Sequence, residues 1–189
     1  MKIIELKNLK IYGVAESQIA ASYPRKQKIE AFEDVKANPE LLNRLLSAPL
    51  GSGHDCAAKG VVVQFDLTAP EYFWRQLDRY SFIDYVSSQS KMHSIQTFPI
   101  REMCNEEVDE IVIKNLERLI KEKAPLRKIL SNVPSGFMLT ARMTTNILQL
   151  KTIFHQRKNH QLPEWQAFTQ FIIRIFSGLG FVKEEEKEE

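Results

Sequence analysis

The chain has 189 residues, 43% of them apolar and 10% aromatic, enough to close one core of ordinary domain size. Its 26 basic and 24 acidic residues leave a formal charge of +2, too balanced to predict a nucleic-acid partner, and no apolar run reaches the ~18 residues of a membrane-spanning helix. A cytoplasmic protein with neither membrane nor nucleic-acid partners is expected.

Met1 to Ile11 alternates loosely enough for an edge strand, and Leu41, Leu42, Leu45 and Leu46 give Pro39 to Leu46 the spacing of a short amphipathic helix. Gly51-Ser52-Gly53 breaks the chain before the β-branched run from Val61 to Leu67, which reads as a strand. Pro70 suits a first helical turn, so a helix from about Glu71 to Tyr80 follows. Val108, Ile111, Val112, Leu116, Leu119 and Ile120 recur with helical period between Glu106 and Lys123. Pro125 and Pro134 bracket a shorter helix. Phe137 to Met143 alternates as a strand, after which Thr144 or Thr145 is expected to cap a helix running to about Arg157. Pro163 opens a last helix through Phe176, stopped by Gly178 and Gly180. Together these elements predict an α+β fold, helices packed on a small, mostly antiparallel sheet, in a single domain over 1–182.

The segment Lys183 to Glu189 holds five Glu against two Lys and reads as an acidic disordered tail, leaving a body of roughly +5 that suits a small anion. Cys56 and Cys104 lack Cys-x-x-Cys spacing and are expected as reduced thiols. His54, Asp55, Cys56, His155 and His160 show no familiar zinc spacing, and nothing around Cys56 marks a nucleophile. Phe73, Trp74, Tyr80, Phe82 and Tyr85 are read as core aromatics ahead of a stacking surface.

One ungapped stretch carries more information. It runs from the loop Gly53-His54-Asp55-Cys56, through a strand ending in Ala69-Pro70, into Arg75-Gln76-Leu77-Asp78-Arg79-Tyr80-Ser81, and on to Met92. A second block, from Thr145-Asn146 to Trp165, includes Arg157, His160 and Glu164. In register and residue type these blocks resemble the flavin-dependent thymidylate synthases, the second with one residue deleted between Arg157 and His160. The resemblance spans most of residues 50–176.

The resemblance implies reductive methylation of deoxyuridine monophosphate (dUMP) or a related pyrimidine nucleotide. FAD would be the cofactor and NADPH and methylenetetrahydrofolate the co-substrates, in a homotetramer whose active sites are shared between subunits. The resemblance also implies that no protein cysteine adds to the pyrimidine ring, so that placement and charge do the work. The resemblance puts Gln76, Arg79, Ser88, Gln89, Lys91 and Arg157 at the nucleotide, where arginine forks suit a phosphate dianion. It puts His54, Cys56, Asn146 and His160 at the flavin. Tyr80, Ser81, Val86, Ser87, Leu148 and Thr152 replace polar or cationic residues of the family pattern, which predicts weaker flavin binding. They also sustain an alternative: a nucleotide-binding or regulatory protein that has lost flavin and catalysis.

Overall fold

A computed structural model describes residues 3–181. The acidic segment 183–189 lies outside the described residues. In chain order the elements are β1 (Glu5–Tyr12), α1 (Val14–Ala20), α2 (Pro39–Leu46), a 3₁₀ segment (His54–Gly60), β2 (Val62–Pro70), α3 (Glu71–Leu77), β3 (Asp84–Ser88), α4 (Lys91–Ser94), α5 (Ile100–Met103), α6 (Glu110–Lys121), α7 (Leu126–Leu130), β4 (Met138–Asn146), α8 (Ile147–Arg157) and α9 (Pro163–Gly178). The strands form one four-stranded antiparallel sheet in the order β1-β2-β4-β3. The predicted α+β class is therefore the observed one, with β1 at an edge as expected.

Strand β2 shows how sequence sets register. Val63, Phe65, Leu67 and Ala69 are fully buried and alternate with half-buried Gln64, Asp66 and Thr68, the period-2 pattern of a strand with one face in the core. On the other face the Thr68 and Thr140 hydroxyls meet at 2.7 Å, and Arg142 donates to Asp66 at 3.1 Å. Stepping two residues up one strand moves two residues down the other, which is antiparallel pairing.

By packing, the chain groups into two compact units. One comprises Phe65–Met143 with the described part of Met1–Asn8; the other comprises Leu9–Gln64 with the described part of Thr144–Glu189. The core of the first gathers Ile95, Ile100, Ile113, Leu116, Leu119, Ile129 and Phe137. Three of these come from α6, which begins at Glu110 rather than Glu106. Its buried stripe is Ile113-Leu116-Leu119, and Ile111, counted above as part of the apolar face, is 77% exposed. The two-residue step from Ile111 to Ile113 turns the helix by about 200°, so Ile111 and Ile113 cannot both face inward.

In the second unit α8 packs on α9 and on the 3₁₀ segment, which also meets α1 and α2. Trp165 and Phe168 of α9 are fully buried, their rings edge to face at 5.9 Å. Gly13 turns the chain from β1 into α1 at φ 74°, and a Cβ there would stand 2.3 Å from the Gly60 carbonyl oxygen. Position 13 thus needs glycine twice over, for its backbone angle and for close approach. The cap of α8 is Asn146, whose Oδ1 accepts from the Gln149 N–H at 2.9 Å. Thr144 and Thr145 lie inside β4 instead, Thr145 pointing into the core at 5% exposure.

Candidate functional site

The first unit carries a cleft of about 310 Å³ between α3, β3, the start of α4 and the start of β4. Ser88, Gln89 and Lys91, three residues of the expected nucleotide set, line it. Trp74 and Tyr85 form an aromatic wall, ring centroids 5.4 Å apart. The indole is pinned by its Nε1–H donating to the Ala69 carbonyl at 3.0 Å, and the Tyr85 hydroxyl donates to Asp78 at 2.7 Å. Burial, then the hydrogen bond and charge of Asp78, push the Tyr85 phenol well above its usual range, so it stays a neutral donor.

Gln89 fastens two sides of this cleft together. Its N–H donates to the Thr140 carbonyl at 2.9 Å, and its side-chain Oε1 accepts the Thr140 N–H at 2.8 Å. The side chain thereby continues the β3-β4 pairing one step beyond β3, leaving its NH₂ group for a ligand. Lys91, at the first position of α4, donates to Glu71, and Arg75 donates to the same carboxylate through its other oxygen at 2.9 Å. Burial tends to raise the Glu71 carboxyl, but hydrogen bonds from Lys91 and Arg75 outweigh it and hold the group below the usual glutamate range.

Gln76 is half-buried on α3, whereas Arg79 is exposed in the turn beyond it. The helix ends at Leu77, not near Tyr80 as expected, so Arg79 stands beyond the helix that carries Gln76.

The remaining candidates lie in the second unit. His54 and Cys56 are exposed on the 3₁₀ segment and line a pocket of about 450 Å³. Arg25, Arg44 and Pro24 line it too, and sequence reasoning missed both arginines. Asp55, between His54 and Cys56, is 2% exposed and ion-paired with Lys151 of α8 at 2.7 Å; Lys151 also donates to the Ala48 carbonyl at 2.6 Å. Asn146 spends its side-chain oxygen on the α8 cap. His160 accepts the Leu162 N–H on Nδ1 at 3.1 Å, and its ring lies 6.0 Å from that of Trp165. Arg157 closes α8 with its guanidinium 4.6 Å above the Trp165 ring, a cation–π contact.

ThyX from Helicobacter pylori, solved with FAD and dUMP, superposes with a TM-score of 0.69 at 14% identity, covering 95% of each chain. The fold is that of the ThyX flavin-dependent thymidylate synthases. A further ThyX structure from Helicobacter pylori, complexed with FAD and dUMP, matches at TM-score 0.67 and 12% identity over 98% of this chain and 96% of that one. The UMP/dUMP methylase PolB from Streptomyces cacaoi, bound with 5-Br dUMP, matches at TM-score 0.68 and 11% identity over 93% and 91%. No family model matches the sequence, and no curated protein matches it. At such identity the ThyX likeness resides in the backbone, and individual site residues rest on the geometry above. Among the described residues no helix is long and apolar enough to cross a membrane.

Proposed function

We propose that this chain is a ThyX-like nucleotide methylase that binds a pyrimidine deoxynucleoside monophosphate, dUMP or a close relative, and methylates it reductively. The observation that carries the reading is the cleft holding Ser88, Gln89 and Lys91 beside an aromatic wall, within a fold shared end to end with two proteins solved with dUMP or its 5-bromo derivative. Ser88 and the free amide of Gln89 supply neutral hydrogen bonds, and Lys91 supplies charge for a phosphate. Gln76, Arg79 and Arg157 complete the proposed nucleotide set. Titration of the full chain with dUMP tests the reading, and absence of saturable binding overturns it.

FAD is the proposed cofactor, with NADPH and methylenetetrahydrofolate as co-substrates in a cytoplasmic setting; when bound, it supplies hydride chemistry. The residues fit it in part. The pocket of His54 and Cys56 has room and, in Arg25 and Arg44, two cations suited to a pyrophosphate. Asn146 and His160 are engaged in an α-helix cap and a backbone hydrogen bond, so they offer fewer free groups than the resemblance implied. Weak binding is therefore the expected result. Flavin fluorescence should show saturation below millimolar FAD, an affinity of about 4 kcal/mol, and substituting Arg44 by alanine should weaken it about tenfold or more. No saturation in that range would favour the alternative, a nucleotide-binding protein without flavin. Thr152 and Leu148 speak for that alternative, since Thr152 spends its hydroxyl on the Leu148 carbonyl at 3.1 Å.

We also propose a homotetramer with sites completed by neighbouring subunits, as the resemblance implies. The exposure of Arg79, outside the lining of the cleft, is compatible with a role in such a shared site. Light scattering at micromolar concentration should give four times the chain mass of 21.9 kDa; a stable monomer would refute it.

A further inference from the structure

Resting on the nucleotide reading above, we propose that Glu71 is a built-in competitor for the anionic ligand, occupying the cations of the cleft until a phosphate displaces it. Glu71 is the first residue of α3 and lines the cleft with Arg75 and Lys91. One carboxylate oxygen takes the Lys91 ammonium and the other takes the Arg75 guanidinium. Two oxygens of one anion on two different cations is the arrangement a phosphate monoester would adopt in the same place.

The chemistry of the surroundings supports exchange over a fixed structural tie. Glu71 and Lys91 have side-chain exposures of 23% and 26%, dry enough for charge to count yet open to an incoming ligand. The other charged or titratable groups of the cleft are Asp78 and Tyr85, and these are bonded to each other. Asp78 forms no ion pair with either cation, and Glu71 is the carboxylate in contact with both. Swapping one anion for another costs little when both are desolvated alike, but a neutral ligand cannot make the swap. The device thus selects for a ligand carrying a phosphate dianion and against the bare nucleoside.

The test uses calorimetry on the full chain with three probes, dUMP, deoxyuridine and inorganic phosphate. Glu71→Gln keeps the shape and an acceptor oxygen but removes the competing charge. It should bind dUMP and inorganic phosphate about fivefold tighter than wild type, with deoxyuridine unmoved. Glu71→Asp, whose shorter arm retreats from Lys91, should show a smaller gain in the same direction, a check that does not depend on the amide. In a Lys91→Met background the gain from Glu71→Gln should shrink. Unchanged or weaker phosphate binding by Glu71→Gln overturns the proposal, as does a gain undiminished without Lys91. If dUMP binds wild type and Glu71→Gln alike, the nucleotide reading stands and the competitor falls. If inorganic phosphate shows the gain while dUMP binds neither protein, the competitor stands and the nucleotide reading falls.

Discussion

Replacing Lys151 by methionine is expected to lower the unfolding free energy by about 3–5 kcal/mol, the usual cost of stranding one member of a buried ion pair. The side chains of Lys151 and Asp55 are 10% and 3% exposed, and their charged atoms are 2.7 Å apart. Methionine fills similar space, so the loss would come from charge and hydrogen bonding, not from a cavity. Asp55 would keep its carboxylate with no cation beside it, and the Ala48 carbonyl would lose its donor. The double variant Asp55→Asn, Lys151→Met should recover a large part of the loss, because it removes the stranded charge. Urea denaturation of the three proteins measures this, and a loss under about 1 kcal/mol would place the pair with ordinary surface bridges. The pair anchors the residue between His54 and Cys56 to α8. Loosening it should therefore also weaken any ligand held by those two side chains.

That pair illustrates where the sequence was silent. Lys151 and Asp55 are 96 residues apart, and nothing local marks either as buried. The strands β2 and β4 and the helices α2, α8 and α9 were legible because their apolar periods are strong and their ends are punctuated by Pro39, Pro163 and the Gly-Ser-Gly break. Strand β3 was not, since Asp84–Ser88 is exposed along its whole length and so has no buried alternation to betray it. Ser88, Gln89 and Lys91, which the register of Gly53 to Met92 singled out, line one cleft. It could not show that Lys91 is already paired with Glu71, nor that Arg25 and Arg44 share a pocket with His54. Such facts arise from contacts across long loops, where spacing carries no signal.

Alanine at Arg79 or Arg157 is expected to reduce dUMP affinity about ten- to hundredfold, the loss of one charge-assisted hydrogen bond of ~1.5–3 kcal/mol to a phosphate oxygen. The structure separates the two variants by a second readout. Arg79 is exposed in the turn after α3, so its truncation should leave the melting temperature where it was. Arg157 stacks on the fully buried Trp165 at 4.6 Å, so Arg157→Ala should also lower stability, by about 0.5–2 kcal/mol for the lost cation–π contact. Arg157→Lys should rescue neither effect fully, because a point charge reproduces neither the planar fork nor its stacking on the indole. Deoxyuridine should bind far more weakly than dUMP to wild type, and its affinity should be indifferent to both substitutions, since the phosphate is the group the arginines address. Calorimetry with both ligands, alongside thermal melts of the same preparations, distinguishes the outcomes. If Arg157→Ala loses stability but holds dUMP as wild type does, Arg157 is a packing residue for Trp165 and leaves the nucleotide set. If Arg79→Ala also binds dUMP unchanged, the phosphate is held by Lys91 and Arg75 in the cleft without either arginine.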